Sequence, residues 1–196
     1  YQPDYGEQAL NQILKFAKAG IPLIILDSVP ATQPREDIEK LEKDAQNQLR
    51  LGGVAALFAK MLPTIVRTCE MTGTTLILIN QVRDNIGAVM AFGDKDTTPG
   101  GRAIRFYSSI RIKVARRAWV EVPNKNPANS AANEKIGMIM KCRVVKSKVS
   151  NPYLECEIPL LFDRGFTSFG ELQSIRQEIM KANRSRKGKA KDDDQD

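Results

Sequence analysis

The sequence predicts an α/β fold: a mostly parallel sheet with flanking helices, then an antiparallel β section and a disordered tail. Three observations carry this. Two short β-prone runs, residues 23–26 and 74–79, are separated by a long stretch of helical periodicity, the pattern of a parallel pair with a helical crossover. Both runs stop abruptly in polar residues, Asp27-Ser28 and Asn80-Gln81. Three later segments, 109–114, 137–146 and 153–160, alternate or are rich in β-formers.

Taken in order, Pro3-Asp4 and Gly6-Glu7 open a helix whose apolar positions, Ala9, Leu10, Ile13, Leu14 and Ala17, recur at helical spacing until Gly20. The run at 23–26 is unbroken and reads as a strand buried on both faces. Residues 30–50 are polar, with a short helix expected at 35–43. Gly52-Gly53 breaks the pattern, and an amphipathic helix bent at Pro63 follows over 54–71, ended by Gly73. After the strand at 74–79 comes a loop of almost no periodicity, 82–99, then Gly100-Gly101 and a short helix at 102–107. The first two later β segments predict a hairpin around the "VPNKNPANSAANE" stretch. A terminal helix at 171–182 and a low-complexity tail at 183–196, basic and then acidic, complete the chain; the tail's composition predicts disorder.

The 196 residues suit one domain with a small appendage. No apolar run approaches the roughly 18 residues of a membrane span, so no membrane association is expected. The chain contains no histidine, which removes His-based metal sites and general bases. The formal charge of +7 favours polyanionic partners, weakly. Cys69, Cys142 and Cys156 have no metal-like spacing and read as reduced structural thiols of a cytoplasmic protein. The opening at Tyr1 rather than Met is expected for a fragment.

In open parallel sheets, ligands bind beyond the carboxyl ends of strands, so the two polar strand ends are the first place to look for chemistry. Asp27 there suits a hydrated Mg2+ beside phosphate oxygens, with Ser28 next to it; a solvated strand terminus is the alternative. The Gln81 amide bonds phosphate or water without changing charge, and equally it caps a strand end. The loop at 82–99 mixes glycines with Ile86, Val89, Met90 and Phe92, side chains able to stack on bases. Downstream, six basic and no acidic residues lie between Gly100 and Arg117, and the Gly100-Gly101 amides precede a helix start. Lys146 and Lys148 lie two apart, on one face if the strand continues; this suits a phosphate or an exposed strand edge. No G-x-x-x-x-G-K-[ST] loop occurs. Composition and spacing lead to an α/β domain that binds phosphates or nucleic acid.

The strings "QPDYGEQAL", "LIILDSVPA", "LILINQVR", "GAVMAFGDKDTTPGGRAIRFYSSIRI" and "VVKSKVSNPY", in this order, resemble the bacterial RecA recombinase family over roughly residues 1–170. The resemblance implies a RecA-like twisted core and, for a complete protein, ATP and Mg2+ bound between protomers of a helical filament on single-stranded DNA, which pairs with double-stranded DNA in strand exchange and repair. It places Asp27 at the strand-end carboxylate that acts on Mg2+ through water, with Ser28 beside it, and Gln81 at the γ-phosphate sensor. Arg83, Asn85, Ile86, Gly87, Met90 and Phe92 fall in the second DNA-binding loop, and Arg50, Gly52 and Gly53 close the first, at about 39–52. Gly100, Gly101 and Arg102 match positions on the DNA backbone. Lys146 and Lys148 match the pair that reaches a neighbour's ATP, and Phe106 matches an interface aromatic.

The resemblance suggests the C-terminal portion of the family's ATPase core without its Walker A segment and catalytic glutamate, inactive in ATP hydrolysis by itself. A naturally short, non-catalytic paralogue that modulates a filament is the alternative. Leu57 and Thr64 stand where the family often has arginines, which puts the DNA contacts of that helix in doubt.

Overall fold

The structure, a computed structural model, describes residues 1–43, 52–84, 96–123 and 133–192, with 83–84, 96–97 and 182–192 described by backbone alone. The chain divides into two compact units, Tyr1–Ser108 and Ser109–Asp196.

In the first unit, helix α1 (Gly6–Lys18) leads to strand β1 (Leu23–Leu26), a 3-10 turn (Val29–Ala31) and helix α2 (Arg35–Lys43). Helix α3 (Gly53–Thr72) follows, running through Pro63, and then strand β2 (Thr75–Leu78). Gly73, left-handed at φ 70°, ends α3, and the Thr74 N–H closes its last turn on the Cys69 carbonyl. Two-residue strands β3 (Arg83–Asp84) and β4 (Asp96–Thr97) pair antiparallel, and helix α4 (Gly101–Tyr107) closes the unit.

Strands β1 and β2 are parallel, in register from Leu23 opposite Thr75 to Leu26 opposite Leu78. The core gathers Leu10, Ile13 and Ala17 of α1, Ile24 of β1, Val29, and Leu57, Phe58, Leu62, Ile65 and Cys69 of α3, with Ile104 of α4. Phe58 and Ile65 are fully buried, and each such side chain contributes roughly 1.5–3 kcal/mol relative to exposure. The expectation that β1 is buried on both faces is corrected. Ile24 is 7% exposed while Ile25 is 56% exposed, and Leu23 and Ile77 lie on the same open side as Ile25. The core draws only on the face of Ile24, Leu26, Leu76 and Leu78, so this pair of strands is one-sided within its unit.

The second unit is an antiparallel sheet in the order β5 (Ile110–Pro123), β6 (Asn133–Ser147), β7 (Glu155–Leu161) and β8 (Gly165–Phe166), followed by helix α5 (Phe169–Asp192). The predicted hairpin is β5–β6, longer than the sequence suggested and interrupted by three register shifts. Val120, Leu161 and Leu172 form its small core. The helical backbone of α5 continues beyond residue 182, and 193–196 of the expected tail lie outside the described residues.

The start of α5 is a capping box. The Glu171 N–H donates to Ser168 Oγ at 3.2 Å, and Glu171 Oε2 accepts from the Ser168 N–H at 2.9 Å and from Thr167 Oγ1 at 2.7 Å. The Ser168 backbone bond first, then the Thr167 and Ser168 hydroxyls, hold the Glu171 carboxyl below its usual range. Because the folded value lies below the unfolded one, the stabilisation is complete above the unfolded carboxylate range and is lost as pH falls through the depressed value. Glu171→Gln is therefore expected to reduce helicity at neutral pH and to flatten the acid-dependent loss of helical signal that circular dichroism records for the parent chain.

Candidate functional site

The parallel ladder does not stop where the two strands end. The Ile79 N–H donates to the Leu26 carbonyl at 3.0 Å, and the Val29 N–H donates to the Ile79 carbonyl at 2.9 Å. These bonds bring residues 27–28 alongside the chain leading to Asn80 and Gln81, at the same rim of the sheet. Asp27 is exposed, Ser28 half-buried, and the peptide between them is cis. Val29, fully buried, anchors the turn that follows. Gln81 is exposed, three residues past the end of β2.

The segment that begins at Gln81 is drawn closed at its base. The Asn80 side-chain amide donates to the Pro99 carbonyl at 2.8 Å, and Asn80 Oδ1 accepts the Gln81 N–H at 2.9 Å. The β3–β4 ladder, with Arg83 opposite Thr97, pairs the outgoing and returning chain. Asn85, Ile86, Gly87, Met90 and Phe92 lie outside the described residues, as does Arg50; of Arg83 only the backbone is described.

Gly100 and Gly101 have φ of 86° and 65°, a region that favours glycine. A Cβ on Gly100 would press on Ile104 and on Val29 Cγ1, the latter at 3.1 Å, and one on Gly101 would meet Ala55 Cβ at 2.8 Å. The two glycines let the start of α4 settle directly against the turn after Asp27 and against α3. Arg102 is exposed on the first turn of α4. Phe106 is 71% exposed, its ring edge-on to Tyr107 at 5.3 Å.

The start of α3 is different. Gly52 is exposed and left-handed, but a Cβ on Gly53 would collide with the carboxylate of Asp37, which is 4% exposed. A carboxylate thus already faces that helix end, where it interacts favourably with the helix dipole. An anion approaching Gly53 would meet a like charge.

Lys146 and Lys148 belong to the second unit. Lys146 is half-buried near the end of β6, opposite Arg111, and Lys148 lies just past the strand, its N–H bonded to the Ser109 carbonyl at 2.9 Å. Burial, then the charges of Lys148 and Arg111, push the Lys146 ammonium below the ordinary lysine range. Among the described residues no group of three or more Cys, Asp or Glu could hold a metal ion by itself. A lone Asp27 carboxylate suits Mg2+, which keeps several waters and takes further oxygens from phosphates.

Asn80 and Asp37 carry roles that the sequence reading did not assign. Asn80 meets Pro99 across 19 positions, and no spacing rule links them.

The chain matches the family model described as the RecA N-terminal domain over residues 1–167. It is 37% identical over 172 residues to Protein RecA of Nautilia profundicola, covering 87% of this chain and 45% of that protein. The figures are 38%, 87% and 46% for Protein RecA of Sulfurimonas denitrificans, and 37%, 91% and 48% for that of a Sulfurovum species. The chain therefore spans about half the length of these relatives. The match corrects the assignment to a C-terminal portion of the family's core, because the matched domain is the family's N-terminal one. That assignment rested on motifs not found ahead of Tyr1, which say nothing about the domain to which the remaining residues belong.

Asn80→Ala removes one hydrogen bond at each end of the loop base. A loss of about 1 kcal/mol is expected from urea unfolding, together with faster hydrogen exchange at the Gln81 amide. Gly100→Ala is expected to cost more, about 1–3 kcal/mol, through crowding and a strained φ.

Proposed function

Because this chain belongs to the RecA family, we propose that it supplies, within a longer RecA-type protein, part of an ATP–Mg2+ site and part of a DNA-binding surface. That protein works in the cytoplasm as a homo-oligomeric helical filament that pairs single-stranded with double-stranded DNA in recombination and repair. The observation that carries this reading is the shared rim: the bonds of Ile79 to Leu26 and of Val29 to Ile79 set the turn that holds Asp27 alongside the chain leading to Gln81.

In this reading Asp27 holds Mg2+ through water, with Ser28 adjacent, and bound ATP supplies a γ-phosphate within reach of the Gln81 amide. Gln81 carries no proton to transfer, so its part is to report the phosphate by bonding to it or releasing it. The report passes to the loop because the Gln81 N–H is bonded to Asn80 Oδ1, and Asn80 also holds Pro99. Both ends of the loop then respond to one strand end. Gly100, Gly101 and Arg102 stand at the returning end, where exposed Arg102 meets the DNA backbone. Lys146 and Lys148 address the nucleotide of a neighbouring protomer, with Phe106 at the contact between protomers. At the first loop, the Asp37 carboxylate leaves Gly52 rather than Gly53 as the backbone contact.

No described helix is long and apolar enough to cross a membrane. Titration of labelled single-stranded DNA at a series of salt concentrations tests the DNA surface. Affinity is expected to fall linearly on a log–log plot, and Arg102→Ala to lower the slope by about 0.7, the value for one phosphate on a single strand. An unchanged slope would remove Arg102 from the interface. In the whole protein, Gln81→Ala is expected to keep nucleotide binding while nucleotide no longer tightens DNA binding. Retained tightening would refute the sensor role.

A further inference from the structure

Cys142 on β6 and Cys156 on β7 stand directly opposite each other. Their pairing class follows from neighbouring bonds. The Val144 N–H donates to the Leu154 carbonyl at 2.9 Å, and the Phe162 N–H to the Ile136 carbonyl at 3.0 Å. Hydrogen-bonded and non-hydrogen-bonded pairs alternate along an antiparallel ladder. Cys142–Cys156, two positions from Val144–Leu154, therefore belongs to the hydrogen-bonded class, with Cα atoms about 5.5 Å apart. That separation lies inside the roughly 4.4–6.8 Å Cα window of a disulfide, while the Cβ atoms, wider apart in this class than the roughly 3.5–4.5 Å a disulfide takes, must draw together as the bond forms.

Side chains of an opposed pair share one face of the sheet, so both sulfurs lie on the same side. Burial first, then the charge of Cys156 and a hydrogen bond to it, push the Cys142 thiol up. The face is open: Cys156 is exposed, and so are Val114, opposite Cys142 on β5, and Leu154. Cys69 is different, since it is buried on the core-facing side of α3. All three thiols are free.

We propose that Cys142 and Cys156 form a redox-responsive dithiol, which a small-molecule disulfide converts into a cross-strand disulfide closing a ring around Lys146 and Lys148. The thiolate of exposed Cys156 attacks one sulfur of the oxidant, forms a mixed disulfide and expels one thiolate. Cys142, losing its proton, attacks the Cys156 sulfur and expels the second. The two cysteines give up two electrons and two protons, and the oxidant leaves as two thiols. The hairpin end between the new link and the chain turn, which includes Tyr153 at a positive φ of 68°, is then fastened at its base. The linkage does not depend on the nucleotide role proposed for the lysines; only its effect on a neighbour's ATP would.

The test uses the whole chain, reduced and then exposed to excess glutathione disulfide, with thiol labelling and peptide mapping without reductant. Two of the three thiols are expected to disappear, with one 142–156 linked peptide pair and no retained glutathione, all reversed by dithiothreitol. Cys142→Ser is expected to stop at a glutathione adduct on Cys156. Hydrogen exchange over residues 147–154 is expected to slow severalfold in the oxidised chain. A parent chain that keeps glutathione on Cys156 while Cys142 stays alkylatable would overturn the proposal, as would linkage between two chains. A linked chain with unchanged exchange would overturn the clamp.

Discussion

The candidate site rests on the parallel register of β1 and β2 and its two-bond continuation past the strand ends. Without the bonds from Ile79 to Leu26 and from Val29 to Ile79, Asp27 and Gln81 would each end a strand with no fixed relation to the other. The constraint is covalently cheap and topologically demanding. It requires a crossover, supplied by α2 and α3, that returns the chain beside its own start in the same direction. The buried face of Ile24, Leu26, Leu76 and Leu78 on α1 and α3 then fixes the rim to the core. A slip of one residue would turn those side chains to the open face, so burial protects the register.

The second constraint acts on the loop. Closing a loop of this length costs entropy that grows only slowly with length, so its base, not its extent, decides whether it is tolerated. Asn80 closes the base with one hydrogen bond to Pro99 and a local one to Gln81, β3–β4 pairs the arms, and Gly100-Gly101 bring the return path against Val29 and Ala55. The residues that bridge the loop's base are thus the same ones that border the carboxylate and the amide. The rim and the two ends of the loop, joined in this way, have little slack between them.

Local physics explains what was legible in the sequence. Helix α2 at 35–43 and the parallel pair of strands were readable because periodicity, turn residues and apolar runs are short-range signals. The one-sidedness of β1 was not readable, because a run of Leu and Ile looks the same with one face covered as with two. Strands β5 and β6 run beyond the segments the sequence predicted, through charged ladder positions such as Arg116 and Lys135 on a largely exposed sheet, where no burial pattern marks them. Within the site, Asp27 and Gln81 were visible as polar stops. The Asn80–Pro99 bond, the Asp37 carboxylate at Gly53 and the opposed cysteines are long-range pairings that appear only when the register is known.

Arg111, Lys146 and Lys148 gather three cationic side chains where the β5–β6 ladder begins and ends. A lysine with a lowered folded value is one whose charge the fold disfavours; the penalty is present below that value and is relieved as pH rises through it. A phosphate beside these groups would favour the charged form of Lys146 and raise its value back toward normal. The same electrostatics that lower the Lys146 value would favour an anion placed beside it.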